Sequence, residues 1–456
     1  MDGTPPVLVL QSPSVEQELA SYELRVKGQA SDETALGAVT VQVGDQAPVA
    51  VTVDGTGSFS AVLTPSRGPV VVKVQALDAA GNKTEVARTV VLGTSVTAGG
   101  SHTGALRDGA LFAWGRNNLS QVGDGTALDR NTPQPIAVSK PLASLAFRQN
   151  SSVAVAVDGT AFGWGTNADG QLGLGTSATP DLVTRKTPTE LPVTGVVLAV
   201  LGYNHTLLLR EDGTVWAAGD NTKGQVGDPT KVGQKVSVLT PVAGLSGVVQ
   251  IGAGSAFSLA RKADGTVWAW GNNAYGDLGQ GTVDSTAHAT PVQVPGLTDI
   301  VDVSAGRDHV LALRADGTVW AWGLNKNGQL GIGVSGDGAD RSSPTQLTSG
   351  VDGVVSVHGG ANHSFIRMAD GTLRGFGQAG SGQLGTGDTT ELNVPSTPVK
   401  GLTGVSGLGF GALHVITRQP GGSYSAWGWS FKGSLGGGDA LLDTWSYVEP
   451  IVVTLP

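Results

Sequence analysis

Apolar and polar residues alternate in short runs along most of the chain, and glycine-rich turns separate the runs. From residue 96 onward the pattern repeats with a period of about 52 residues. One run in each unit ends on an aromatic-glycine step: Trp114-Gly115, Trp164-Gly165, Trp270-Gly271, Trp322-Gly323, Phe376-Gly377 and Trp427-Gly428, with Ala218-Gly219 in the remaining slot. Six residues before that slot, six units carry Asp-Gly (Asp108, Asp158, Asp212, Asp264, Asp316 and Asp370, each followed by glycine), and the seventh carries Gly421-Gly422. Asp-Gly between alternating runs predicts a two-residue type I′ hairpin, which needs positive φ at both central positions. In the fifth unit the arms are Val310 to Arg314 and Thr318 to Trp322.

A glycine-rich loop follows the aromatic step, as in Asn167 to Gly173, Asn221 to Gly227 and Asn325 to Gly331; a further strand reads at Pro291 to Val294 or Pro241-Val242. Four strands in each of seven units predict an all-β, seven-bladed propeller over residues 96–456. The run Pro450 to Leu455 reads as an outer strand, and the first unit starts at Val96 with no such strand before it. The C-terminal strand is therefore expected to complete the first blade.

Residues 1–93 stand outside the repeat. Alternation at Tyr22 to Val26, Val39 to Val43, Ser58 to Leu63 and Val71 to Ala76 predicts an N-terminal β-sandwich. The junction Leu92 to Ser95 is short, which places the sandwich near the propeller rim.

Composition supports a folded chain. The 456 residues include 70 glycines and ten tryptophans, with 39% hydrophobic and only 14% charged residues. This is the balance of a turn-rich packed protein and not of a disordered tract. A formal charge of -9 with 28 scattered basic residues argues against nucleic-acid binding. No apolar run is long enough to span a membrane, and the absence of cysteine excludes disulfides and thiolate chemistry. The opening Met1 to Pro6 lacks the regions of a signal peptide, so an exported protein would have had its signal removed.

The repeat resembles the regulator-of-chromosome-condensation family of seven-bladed propellers. Ala305-Gly306, His309, Asp316-Gly317, Trp320 to Gly323 and Asn325 to Gly331 carry the resemblance; Ser120 at a loop glycine and Ser152 in a histidine region depart from it. Segments Gly28 to Asp32 and Asp78 to Asn82 are similar to bacterial immunoglobulin-like domains of surface and secreted proteins. That similarity implies an extracellular or cell-surface location, with the cytoplasm as the alternative. The propeller resemblance implies binding proteins or a guanine-nucleotide exchange factor acting on a small GTPase. Unit spacings of 50 to 54 residues leave no room for a large exchange-type insertion.

Five histidines (His102, His205, His309, His363 and His414) share one slot, and His288 and His358 lie outside it. Blade spacing of ~10 Å is too wide for ~2 Å metal bonds, so the slot histidines are read as hydrogen-bonding backbone within their own blades. Eight tryptophans in two repeat slots are read as blade packing. Asp337 and Asp340 lack a full calcium-loop pattern. No acid/base pair or nucleophilic constellation stands apart from the framework, so no catalysis, cofactor or metal is expected.

The remaining aromatics point to recognition. Trp429, Phe431, Trp445 and Tyr447 depart from the repeat in the last unit, and strand parity puts them at the same end as Arg148, Tyr203, Tyr275, Arg307, Asp308 and Asn362. Aromatic residues and arginine dominate binding hot spots. The expected function is a non-catalytic recognition module whose loop face binds a protein, or alternatively a glycan, with the sandwich as spacer.

Overall fold

The computed structural model describes residues 3–438 and 446–456. Two compact units divide the chain, Met1–Gly93 and Thr94–Pro456. Among the described residues, no helix is long and apolar enough to cross a membrane.

The first unit packs two sheets. One joins β1 (Val7–Ser12), β3 (Leu24–Ser31) and β6 (Ser58–Leu63); the other runs in the order β2 (Gln17–Leu19), β8 (Lys83–Leu92), β7 (Gly68–Asp78), β4 (Leu36–Val43), β5 (Val49–Val51). Alternation explains the layering: along β7 buried and outward positions take turns, and Val26, Val41, Val72 and Val74 are wholly enclosed. Asp78 closes the β7–β8 turn by accepting the Asn82 backbone N–H at 2.7 Å.

Seven antiparallel sheets follow among the described residues, each built from one continuous stretch. Blade 1 comprises β9 (Val96–Ala98), β10 (His102–Arg107), β11 (Ala110–Gly115) and β12 (Arg130–Ile136). Five further blades repeat this four-strand order; blade 6 has three strands, with isolated bridges Arg374↔Pro398 and Gly377↔Leu392 in place of the fourth. First strands of neighbouring blades lie against one another, so they line the axis. The core lies between blades, as where Leu111 and Val122 of blade 1 meet Phe147, Phe162 and Trp164 of blade 2.

Two sequence expectations need correction. Only blade 1 has the two-residue hairpin, where Arg107 pairs with Ala110 and both Asp108 and Gly109 take positive φ. In blade 3 the loop has three residues: Gly213 alone is left-handed (φ 75°), the Arg210 N–H reaches the Thr214 carbonyl, and Asp212 Oδ1 accepts the Thr214 N–H and hydroxyl. The same aspartate-threonine pair recurs at Asp264, Asp316 and Asp370. A carboxylate satisfied by the threonine two residues on favours a type I turn with a glycine bulge.

The second correction concerns ring closure. Tyr447–Val453 pairs with Tyr424–Gly428 in its own blade 7, and β12 already fills the outer edge of blade 1, so no vacant edge exists for the C-terminal strand. The seam closes through blade faces instead. Val96, Phe112 and Trp114 pack with Ile416, Tyr424, Leu435, Val453 and Leu455. The Tyr424 hydroxyl donates to the Leu106 carbonyl at 2.8 Å, and Arg107 donates to Leu455 O at 3.3 Å.

Candidate binding face

The slot histidines lie flat on a glycine three residues earlier. A Cβ on Gly306 would sit 2.0 Å from His309 Cε1, so only glycine allows the imidazole there. In four of the five, Nε2 reaches the next blade, which corrects the expectation of bonds inside one blade. His102 meets Ser152 Oγ at 2.9 Å, His205 meets Ser258 at 3.0 Å, His309 meets Ser364 at 2.8 Å and His414 meets Thr103 Oγ1 at 2.9 Å. Each hydroxyl donates to a loop carbonyl of the preceding blade (Gln121, Gln225, Gln329 and Ser434), which leaves the hydroxyl to accept and the imidazole Nε2–H to donate. Burial lowers the imidazoles of His102, His205, His309 and His363 to about 3 and that of His414 to about 4, so all five are neutral at pH 7.

The tryptophans use the same loop carbonyls. Trp164 donates to Gln121 O at 2.9 Å, Trp270 to Gln225 O at 3.0 Å, Trp427 to Gln383 O at 2.9 Å and Trp114 to Ser434 O at 3.0 Å. They are fully buried, whereas Trp216, Trp268 and Trp320 are half-buried beneath Arg210, Lys262 and Arg314. Both sets thus serve packing.

Where the pairing lapses, the lapse is visible at both partners. Phe257 in the slot shares a core cluster with the apolar Val310 of the next blade, whereas blade 7 has Val415 at the register position where other blades place the hydroxyl residue, and neither His363 ring nitrogen has a hydrogen-bond partner among the described residues. Val415→Thr is expected to stabilise the propeller by about 1 kcal/mol, its hydroxyl accepting from His363 and donating to Gln383 O. A denaturant midpoint that fails to rise would show that the imidazole already finds a partner.

The first-to-second-strand turns and third-to-fourth-strand loops share one end of the ring, because Arg148 pairs with Ser151 and His102 pairs with Gly115 across the sheets. This places Arg148, Tyr203, Arg307, Asp308 and Asn362 nearest the axis and Tyr275, Trp429 and Phe431 on outer loops of the same end. Backbone bonds tie successive turns together: Gly100 N–H to Gln149 O, Tyr203 N–H to Ser255 O, Ser255 N–H to Arg307 O and Arg307 N–H to Ala361 O. Two guanidinium groups, Arg148 and Arg307, contact the Tyr203 ring, each 5.6 Å from its centroid. Asp308 accepts from Arg307 Nε at 3.1 Å and from the Ser255 hydroxyl.

Trp429 and Phe431 stack at 4.8 Å, with Arg116 of blade 1 over the Phe431 ring. Tyr275 is 40% exposed on its own loop. Tyr447 packs against the seam core, and Trp445 lies outside the described residues. Apart from Tyr275 and Tyr447, the described candidates form two groups, one at the axis and one on the blade 7 loop. Sequence reasoning passed over Arg116, Ser255 and Asp277. Burial, with the Asp308 charge nearby, raises the Asp277 carboxyl well above the usual range; Asp277 stands where five other loops have glutamine and the last has Ser434. Aligning the units would have exposed that exchange.

Among the described residues, no group of three or more histidine, aspartate or glutamate side chains could hold a metal. Asp340 accepts the Asn325 N–H at 2.7 Å as a loop closure, and Asp337 is exposed.

Comparison with known proteins settles the ancestry of this face. The regulator of chromosome condensation (RCC1) repeat matches residues 108–155, 158–209, 212–261, 264–313 and 316–366, more than half of the chain. The chain belongs to the RCC1 repeat family. Its RCC1 propeller is similar to the ultraviolet-B receptor UVR8 of Arabidopsis thaliana, 29% identical over 66% of this chain and 68% of the receptor. It is also similar to the human E3 ubiquitin-protein ligase HERC2, 29% identical over 75% of this chain but only 7% of the ligase. Prp20p of Saccharomyces cerevisiae, whose structure was studied with its binding to Gsp1p and histones, shares the fold with a TM-score of 0.67 at 21% identity, covering 79% of this chain and 88% of Prp20p. Residues 6–94 match domain B of glucodextranase.

Proposed function

We propose that the RCC1 propeller is a non-catalytic protein-recognition module that reads its partner with the turn-and-loop end, the first unit serving as spacer. The observation that carries this reading is Tyr203, half-buried and in contact with both Arg148 and Arg307 on the turn end of the ring. An aromatic ring fixed by two cations has little rotamer freedom left to lose on binding, and tyrosine and arginine are the residue types on which binding energy concentrates. The Trp429–Phe431 stack supplies a second apolar anchor. Relatives in the family bind proteins, which supports a protein over a glycan.

The test is affinity for a partner recovered from the source organism and then purified. Tyr203→Ala with Arg307→Ala is expected to weaken binding by about 2 kcal/mol or more. Ala315→Glu, on the hairpins at the opposite end, should leave it unchanged. Equal affinity of the double variant and the wild type would remove this face from consideration. Loss in the Ala315 variant alone would move the site to the other end.

A further inference from the structure

Blade 2 departs from the repeat at two coupled positions. A Cβ on Gly99, Gly202 or Gly411 would lie 2.0–2.2 Å from Cε1 of that blade's histidine, and one on Gly254 would lie 2.0 Å from Cε1 of Phe257. Blade 2 has Arg148 in the glycine place and Ser151 in the ring place. The small serine frees the volume an imidazole fills elsewhere, and a long side chain can then leave the strand toward the axis. The turn adapts as well: Gln149 takes a positive φ of 44° and still offers its carbonyl to Gly100.

The result is a guanidinium at the end of the channel. Its charge is felt in three other blades, since after burial it is among the causes that lower the imidazoles of His205, His309 and His363. A narrow recess of about 10 Å³, open on one side, lies beside it, lined by Gly99, Gly100, Gln149, Tyr203, Phe410 and Gly411. Nη2 of Arg148 is enclosed and has no hydrogen-bond partner among the described residues. The nearby Asp308 carboxylate is already engaged by Arg307 and Ser255.

We propose that this axial pocket binds a single carboxylate group, with Arg148 as its counter-ion. An enclosed guanidinium nitrogen that has lost water and gained no partner is costly, and an anion restores what it lost. The planar fork matches a carboxylate, and a guanidinium with the Asp308 carboxylate nearby suits a monoanion better than a doubly charged phosphate. The recess, about the size of one water, takes a single carboxylate oxygen and leaves the stem at its open mouth. Such a group comes from a free small acid or from an acidic side chain on a protein partner; only the second source rests on the recognition reading.

Calorimetric titration of the full chain separates these outcomes without any partner. Sodium acetate is expected to bind saturably, and inorganic phosphate at equal ionic strength about tenfold more weakly. Arg148→Gly with Ser151→His, which restores the glycine–imidazole stack, should keep the wild-type unfolding temperature and lose acetate affinity by about tenfold or more. If that variant does not fold, Arg148→Met should lose binding and Arg148→Lys retain part of it. A blocked Gly-Glu-Gly peptide that binds about tenfold more tightly than acetate identifies the source as a protein side chain. Equal affinities identify a free acid. No saturable acetate binding up to about 50 mM, undiminished binding by the arginine-free variants, or phosphate binding as tight as acetate each overturns the proposal. Because the acetate measurement uses no partner, its failure is distinct from failure of the recognition reading.

Discussion

Lowering the pH from 7 to about 5.5 destabilises the propeller by several kcal/mol while the first unit keeps its stability. All seven histidines and all ten tryptophans follow residue 93, so the two units differ in what titrates and in what fluoresces. The five slot imidazoles have folded values of about 3 to 4, set mainly by burial, against an unfolded value near 6.5. Between those values the unfolded chain binds more protons than the folded one. Their stabilisation is therefore complete above pH 6.5 and is lost progressively as the pH falls toward 3, on the order of 1 kcal/mol for each imidazole by pH 5.5. Asp158, held at about 2 by its hydrogen bond to Lys140, adds a similar dependence only at lower pH. Tryptophan fluorescence in guanidinium reports the propeller, and hydrogen exchange of peptides from residues 1–93 reports the other unit. A propeller midpoint constant between pH 7 and pH 5 would show that the imidazoles are not buried neutral.

Trp114→Ala should be the most damaging single truncation at the seam, costing about 3–5 kcal/mol. The indole is fully buried among residues of blades 1 and 7, and its N–H shares the Ser434 carbonyl with the Thr103 hydroxyl. Removal opens a cavity where no strand crosses from one blade to the other. Trp270→Ala makes the equivalent change inside the ring, between blades 3 and 4. Both variants should lower the denaturant midpoint, but Trp114→Ala alone should bring early protease cleavage within residues 94–115 and after residue 446. Identical cleavage patterns would mean that the seam is no weaker than any other junction.

The period, the seven units and the burial of the slot tryptophans were legible because each repeats a local pattern. What escaped depended on residues in the following unit. The partner of His309 is Ser364, 55 positions away, and nothing near His309 announces it; laying the units side by side does, because a hydroxyl residue follows the slot in the next blade. The slot in blade 2 is Ser151, while Ser152 is the acceptor for His102, a distinction that register alone decides. Asp-Gly gave the hairpins but not their length, which turns on the threonine after the glycine. For the binding candidates among the described residues, strand parity gave the common end that the register shows; the grouping of Arg148 and Arg307 about Tyr203 needed side-chain reach from three blades. In the first unit β8 went unread, because several of its outward positions are themselves valine, alanine and threonine.

Since every blade is made from one uninterrupted stretch and the seam closes without strand pairing, through packed side chains and hydrogen bonds such as Gly438 N–H to Asn131 O, the ring has no privileged starting point. Val96 and Leu455 already belong to one core cluster. A permuted chain, spliced there and opened between any two other blades, would contain the same sheets. Neighbours around the circle are then matched by fit, hydroxyl to imidazole and carbonyl to indole, and not by the order in which they are synthesised.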